Sequence, residues 1–454
     1  MSRLKNIKTA YLLGIGGIGM SGIARYLAST GVSVHGYDRT ATPLTRTLEK
    51  EGMQIHYEIN THKIPAATDI AIYTPAIPAD HEELVCIRKA GTDLIKRSEA
   101  LAEITRDRFT IAVAGTHGKT TVSSILGHIL KEAGVNVTAF VGGIMKKYNS
   151  NIIFSRPTDV FVVEADEYDR SFLKLHPDIA IITSMDADHL DVYGTRSELI
   201  RSFVQFAAGL KKNGRLILSD TIDQDLFGDI RKQTCGLTKT ADFRTSEYRI
   251  HEHHYLFSAT DNLDHYLDNV NFDIPGKYNM ENALIASAAA FGYGLDADAV
   301  KKGLESYTGV FRRFDYKVKS ARHIYIDDYA HHPRELQACI SAVKELYPGK
   351  KITGIFQPHL YSRTRDFAAA FASSLERLDE IILIPIYPAR EDPLPGIGPA
   401  TILDKMHHPA KMFAEKDAIP GIIRKKMPEV LLTLGAGDID QLSEPIRKIL
   451  EEPQ

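Results

Sequence analysis

The sequence predicts an α/β fold in three domains: a Rossmann-like N-terminal domain, a central phosphate-loop domain with a mostly parallel sheet, and a Rossmann-like C-terminal domain. Three observations predict it. Short apolar strand signals alternate with helical signals along most of the chain, the pattern of parallel sheets covered by helices. Each of the first two blocks opens with a strand, a glycine-rich turn and a helix start. A basic break at Phe311-Arg312-Arg313-Phe314 then introduces a third alternating block. At 454 residues the chain is too long for one core, so several domains are expected.

The first block, residues 1–106, begins with a strand at Thr9–Leu13 and a helix from near Ile18, and continues through strands such as Ile70–Tyr73. The second, 107–310, starts with the strand Phe109–Ala114, followed by buried-strand signals at Val160–Val163 and Ile179–Thr183. The polar, His- and Tyr-rich stretch Ala241–Asn271 alternates enough to suggest antiparallel edge strands, and a helix signal follows at Asn279–Phe291. The third, 311–454, carries strands at His323–Ile326, Ile352–Phe356, Ile381–Ile386 and Val430–Leu434, with a helix at Arg334–Leu346.

Composition excludes several classes. Hydrophobic residues at 44% and charged residues at 25% are the balance of a globular enzyme. A net charge of −3 gives no general attraction to nucleic acid or an anionic membrane, so any anion site must be built locally. Cys86, Cys235 and Cys339 form no CxxC pair and no even framework, which points to reduced thiols. Lys5 and Lys8 ahead of an apolar stretch have the outline of a secretory signal, but five glycines from Gly14 to Gly22 break it. No run approaches the ~20 apolar residues of a membrane span. A cytoplasmic protein without integral membrane association or nucleic-acid partner is expected.

Gly115-Thr116-His117-Gly118-Lys119-Thr120-Thr121 is the strongest local signal. A strand leads into it, and apolar residues from Val122 to Ala133 follow at helical spacing. Such a turn presents backbone N–H groups and a positive helix end to phosphate. Lys119 suits the β- and γ-phosphates and the Thr120 hydroxyl suits Mg²⁺. The usual spacing asks for glycine where Val113 stands, so the loop is a shortened variant. Upstream, Gly14-Ile15-Gly16-Gly17-Ile18-Gly19 with Asp38 beyond it fits either a nicotinamide or flavin dinucleotide, or the diphosphate of another nucleotide such as a UDP-sugar. A phosphate loop in the next block favours the second.

Acidic groups follow the strands of the central block. Glu164-Ala165-Asp166-Glu167-Tyr168-Asp169 and Asp186-Ala187-Asp188-His189-Leu190-Asp191 are placed at strand ends, where ligands of parallel sheets gather. Carboxylates there suit Mg²⁺, which takes oxygen ligands; either cluster alone is equally well a solvated turn. Asp327-Asp328-Tyr329-Ala330-His331-His332-Pro333 joins a strand end to a helix start in the third block. Arg363 and Arg365 lie beyond the next strand, where a guanidinium fork suits carboxylate or phosphate, or simply a surface ion pair.

These motifs, in this order, resemble the Mur ligase family across nearly the whole chain. The carrying residues are Gly14–Ala24 (GIGGIGMSGIA), Gly115–Thr121 (GTHGKTT), Glu164–Asp169 (EADEYD), Asp188–Asp191 (DHLD) and Gly276–Ala283 (GKYNMENA). They continue with Phe311–Asp315 (FRRFD), Asp327–Pro333 (DDYAHHP), Gln357–Asp366 (QPHLYSRTRD) and Tyr387–Ala389. His117 within the loop is similar to the alanine-adding branch, since the D-glutamate and diaminopimelate adders usually carry Asn there.

The resemblance implies an ATP-dependent ligase with UDP-sugar-binding, ATP-binding and amino-acid-binding domains in that order. It implies that the lactyl carboxylate of UDP-N-acetylmuramate is activated by ATP as an acyl phosphate and joined to L-alanine. The nearest rival is a peptide-recycling ligase that adds a tripeptide to the same sugar nucleotide. On this resemblance Gly14, Gly16, Gly17, Gly19 and Asp38 bind the UDP-sugar. ATP falls to Gly115, Thr116, His117, Gly118, Lys119, Thr120, Thr121, Asn279, Asn282, Arg312 and Asp328. Thr120, Glu164 and His189 hold Mg²⁺, and Lys119, His189, His331 and Arg363 are the catalytic set. Leu360 stands where the family often has arginine, and Tyr278 where it often has histidine. A monomer or weak homodimer is expected, with the Phe311–Phe314 link as the hinge of domain closure.

Several Mur ligases place a carbamylated lysine after the Asp-His motif to help hold a second Mg²⁺. The corresponding segment here, Leu190 to Val204, contains no lysine, and Arg196 and Arg201 cannot replace one because guanidinium stays protonated. Ligase activity should therefore be insensitive to stripping bicarbonate and carbon dioxide from the buffer. Activity that returns only with added bicarbonate would refute this.

Overall fold

The computed structural model describes residues 3–168, 170–187, 190–261, 265–389 and 391–452. They form three sheets, distributed over two compact units. The first unit comprises the chain up to Glu247 with Phe257–Val270 and Glu281–Thr308; the second comprises Tyr248–Leu256, Asn271–Met280 and the chain from Gly309.

In the first unit, strands β1 (Thr9–Leu13), β2 (Ser33–Tyr37), β3 (Gln54–His56), β4 (Ile70–Tyr73) and β5 (Asp93–Lys96) make a five-stranded sheet of order β3-β2-β1-β4-β5. Every pairing in it is parallel. β1 shows why. Ala10 and Leu12 pack on one side with Ile23 and Leu27 of the helix Ile18–Ser29, while Tyr11 and Leu13 pack on the other with Leu84 and Ile87. A strand apolar on both faces must be covered on both faces. The sheet is Rossmann-like, as expected.

The central sheet has ten strands: β6 (Phe109–Ala114), β7 (Val137–Met145), β8 (Ser150–Ile153), β9 (Val160–Glu164), β10 (Ile179–Ile182), β11 (Arg215–Ser219), β12 (Lys232–Gly236), β13 (Phe243–His251), β14 (His254–Asp261) and β15 (Tyr266–Phe272). Their order is β15-β14-β13-β12-β11-β10-β6-β9-β7-β8. β6 lies between β9 and β10 and is parallel to both, with Val113 opposite Glu164 and Ala114 opposite Ile182. Parallel register brings the three carboxyl ends to one edge of the sheet, so the loops after them converge. The expected edge strands of 241–271 are present as β13 to β15. Glu252 and His253 join two of them with positive φ at both residues, the backbone of a tight hairpin turn.

The second unit carries β16 (Asp315–Lys319), β17 (Ile324–Asp328), β18 (Ile352–Phe356), β19 (Glu380–Leu383), β20 (Lys411–Phe413) and β21 (Val430–Leu434) in the order β16-β17-β21-β18-β19-β20. Only β16 pairs antiparallel. β19 stops at Leu383, short of the expected Ile386, because Pro385 has no N–H for a ladder. Helices Pro333–Leu346 and Lys277–Tyr293 both begin slightly earlier than their apolar periodicity indicated. No described helix is long and apolar enough to cross a membrane.

Candidate active site

The phosphate loop sits between β6 and the helix Lys119–Glu132. Val113, where the longer motif has glycine, is a buried strand residue, and the loop proper opens at Gly115. Gly115 (φ +129°) and Gly118 (φ +84°) take conformations that favour glycine. A Cβ on Gly115 would lie 2.1 Å from Thr183 Oγ1, and one on Gly118 would lie 2.6 Å from Asn282 Oδ1. The loop is tied to the end of β10: Thr116 N–H donates to the Ser184 carbonyl at 3.2 Å, and His117 N–H donates to Ser184 Oγ at 2.8 Å. Thr116 Oγ1 donates to the Asp186 carbonyl, and His117 Nε2 lies 3.4 Å from the Asp186 carboxylate. Thr121 is buried in the first helical turn.

Lys119 is the electrostatic centre. Its ammonium donates to the Gly115 carbonyl at 2.7 Å and to both oxygens of Glu167, at 2.9 and 2.8 Å. Burial works against the charged ammonium, but Glu167, Asp166 and Glu164 outweigh it and hold the lysine above its ordinary range. Burial likewise raises Asp166, and Lys119 and Arg97 more than reverse that, so its carboxyl stays below the usual range. Glu164 accepts from Thr120 Oγ1 at 3.1 Å and from Gly142 N–H at 2.7 Å. A hydroxyl and a carboxylate this close, beside a glycine cradle for phosphate, are a fitting donor set for a hard cation with a nucleotide. His189 lies outside the described residues.

At the first sheet, Gly14 (φ +82°) donates its N–H to the Tyr37 carbonyl, and Gly17 N–H closes the turn on the Gly14 carbonyl. Gly16 N–H donates to Asp38 Oδ2 at 2.8 Å, so the expected acid does reach the glycine turn. Gly19 faces Arg97, whose Nη1 would lie 2.5 Å from a Cβ there.

The second unit holds its own cluster. His331 Nδ1 lies 3.0 Å from the Tyr329 carbonyl and 3.3 Å from Glu335, and its ring meets that of His359 with centroids 5.7 Å apart. Arg363, 7% exposed, directs Nη1 to His359 Nδ1 at 3.3 Å. Asp328 accepts from Phe314 N–H at 2.7 Å and Ala330 N–H at 2.8 Å. Burial dominates nonetheless and pushes its pKa up to about 6. Arg312 donates to the Gly435 and Gly437 carbonyls, fastening β21's end. Asn279 donates to the Pro275 carbonyl at 2.6 Å; Asn282, on the same helix, is the residue that crowds Gly118.

Two residues were missed by sequence reasoning. Glu167, the actual partner of Lys119, was visible only as one acid among four. Arg97 pairs with Asp166 at 3.1 Å across a long stretch of sequence, and no local pattern marks it.

Comparison with known proteins fits this arrangement. Three family profiles cover most of the chain: "Mur ligase family, catalytic domain" at 9–109, "Mur ligase middle domain" at 113–290 and "Mur ligase, glutamate ligase domain" at 312–437. The chain belongs to the Mur ligase family. Among Mur ligases it is 46% identical to the UDP-N-acetylmuramate–L-alanine ligase of Flavobacterium johnsoniae, over 99% of both chains. It is 44% identical to the protein of that name from Porphyromonas gingivalis, over 98% of this chain and 99% of that one. The crystal structure of the UDP-N-acetylmuramate-alanine ligase of Thermotoga maritima matches with a TM-score of 0.82 at 27% identity, covering 97% of this chain and 98% of that one. A murein peptide ligase from Psychrobacter arcticus shares the Mur fold with a TM-score of 0.71 at 20% identity, over 98% and 99%.

The Asp328 environment gives a pH signature. Its folded pKa of about 6 exceeds the unfolded value of 3.8, so the folded protein binds the extra proton between them. That contribution is fully present below about pH 4 and is lost as pH rises through about 6. The melting temperature of Asp328→Asn should therefore gain on wild type between about pH 4 and about pH 7. A constant gap would show that burial does not control this carboxyl.

Proposed function

We propose that this protein is a UDP-N-acetylmuramate–L-alanine ligase, joining L-alanine to the lactyl carboxylate of the sugar nucleotide in bacterial peptidoglycan synthesis. One observation carries the reading: relatives of that name match end to end at 41–46% identity, around a phosphate loop charged for phosphoryl transfer. The likeness to murein peptide ligases is one of fold, so the tripeptide-adding alternative ranks second.

The chemistry needs activation, because a carboxylate is a poor acyl donor until it carries a leaving group. A carboxylate oxygen attacks the γ-phosphorus of ATP, and ADP departs. The amine of L-alanine then attacks the acyl phosphate carbon, losing its proton to a base, and phosphate leaves. Backbone N–H groups of the Gly115–Gly118 turn bind the nucleotide phosphates, those of Thr116 and His117 exchanging Ser184 for phosphate oxygen, and Lys119 shares its ammonium between Glu167 and the migrating phosphoryl group. Thr120 and Glu164 would hold Mg²⁺, with His189 as a further ligand; the ion supplies charge neutralisation on the phosphates. Gly14, Gly16, Gly17 and Gly19 receive the UDP moiety and Asp38 orders their turn. Asn279 and Asn282 serve the adenine side, Arg312 and Asp328 the nucleotide, and His331 and Arg363 the reacting groups and the amino-acid carboxylate. The reaction belongs to the cytoplasm, where both nucleotides are available.

Two measurements test this. ADP and phosphate should form only when UDP-N-acetylmuramate and a small L-amino acid are both present. L-alanine should be best, with glycine and L-serine as detectable poor substrates, since a small pocket separates alanine from glycine by one methyl, or ~1–3 kcal/mol, and rejects an added hydroxyl only weakly. Preference for a tripeptide amine would transfer the protein to the recycling class. Lys119→Ala should still fold but melt lower, because buried Glu167 loses its cation, and should lose on the order of 10²–10³ in turnover, as for loss of one transition-state donor. Near-normal turnover would make the loop merely structural.

A further inference from the structure

Arg97 occupies a place in the first unit that the mechanism above leaves unused. It opens the helix Arg97–Thr105, directly after β5. Its guanidinium lies over Gly19, where a Cβ would come within 2.5 Å of Nη1, and its Nη2 reaches Asp166 at 3.1 Å. It therefore bridges the glycine turn of the first sheet and the acidic segment after β9. Beside it is a cavity of about 140 Å³ whose walls include Phe140, Gly142, Phe172 and Leu101, with Glu164 and Asp166 at the polar end.

The pair is not a sealed structural bridge. The Arg97 side chain is 26% exposed and that of Asp166 36%. Both partners keep some contact with water, so another carboxylate can exchange for Asp166 on Arg97 more readily than at a sealed bridge. The segment that carries Asp166 also carries Glu167 and Glu164, the partners of Lys119 and Thr120. A carboxylate taking Asp166's place on Arg97 thus stays beside the phosphoryl-transfer groups, while the lactyl methyl next to it has the apolar wall of the cavity to meet. Guanidinium is suited to this, since it binds carboxylate bidentately and cannot take up the proton or be deprotonated.

We propose that Arg97 is the receptor for the carboxylate to be activated, with Asp166 as the stand-in that substrate displaces. This rests on the ligase reading above. Arg97 is a binding and orienting residue: it fixes the carboxylate for attack on the γ-phosphorus. A side chain at Gly19 would displace the guanidinium from this position.

Titration calorimetry with the full-length chain, using UDP and UDP-N-acetylmuramate as separate ligands, tests it. In Arg97→Ala, UDP affinity should stay within about twofold, while UDP-N-acetylmuramate should bind about 10- to 100-fold more weakly, the range of one charge-assisted hydrogen-bonded contact. Arg97→Lys, which keeps the charge and loses the fork, should fall between and carries the test if the alanine variant does not fold. The KM for the sugar nucleotide should rise, with those for ATP and L-alanine unchanged. Equal weakening of both ligands would assign Arg97 to the diphosphate and overturn the proposal. So would unchanged binding of both, which would leave a structural ion pair. A wild-type protein that binds UDP-N-acetylmuramate no better than an unrelated nucleotide sugar would instead refute the ligase reading itself.

Discussion

The buried contact between Lys119 and Glu167 is the constraint around which the first unit is arranged. Glu167 is 1% exposed, and its two oxygens accept from one ammonium. An ionised carboxylate so placed is tolerable only with a cation held on it, since removing one partner of a buried pair strands the other. The pairing demands that the end of β9 and the start of the helix Lys119–Glu132 meet, which the parallel register of β6 and β9 ensures. It also fixes the loop between them: the same ammonium donates to the Gly115 carbonyl, drawing the turn closed. The contact stores a positive charge at the helix N-terminus, ready for a phosphate to compete for it.

Around this pair the charges do not cancel. Glu164, Asp166 and Glu167 face Lys119 and Arg97, leaving more negative than positive charge at one strand end. Hydrogen bonds from Thr120 and from Gly142 N–H soften the excess at Glu164. A Cβ on Gly142 would lie 2.5 Å from that carboxylate, so the glycine in β7 is what lets the backbone donor approach. Such an excess is suited to a nucleotide that arrives with a divalent cation: the cation answers the carboxylates and the phosphates answer the lysine.

Much of this was legible because it is local. The strand–glycine–helix units are written in consecutive residues, and β1, β4, β6, β18 and β21 start and stop where their apolar runs do. Gly115, Gly118, Lys119 and Thr120 sit as their spacing indicated. What depends on tertiary pairing was not legible. Nothing in Glu164-Ala165-Asp166-Glu167 says which acid takes the lysine and which takes the threonine; the turn after β9 decides that. Arg97 reads as an ordinary first-turn residue until the tertiary fold brings it to Asp166, which follows a strand of a different sheet. Arg312 also binds carbonyls that follow β21, partners far along the chain that its own motif does not name.

The Phe311–Phe314 segment shows the same limit in its dynamics. Read as sequence, a basic, aromatic break between two α/β blocks is a natural hinge. In the structure it is anchored: Phe314 is buried and its N–H bonds Asp328, the Arg312 carbonyl accepts from Tyr329 N–H at 2.7 Å, and Arg312 stacks on the Tyr329 ring at 5.0 Å. Arg312 and Phe314 are held at positive φ, at +63° and +45°, conformations that non-glycine residues keep only where their surroundings impose them. Such a segment is tied to the second unit by these contacts. The chain also changes unit at Glu247/Tyr248, Leu256/Phe257, Val270/Asn271 and Met280/Glu281 as well as at Thr308/Gly309. The chain thus passes between the units at five places, not at a single link. Of these, Thr308/Gly309 is the one with glycine freedom, at φ +90°.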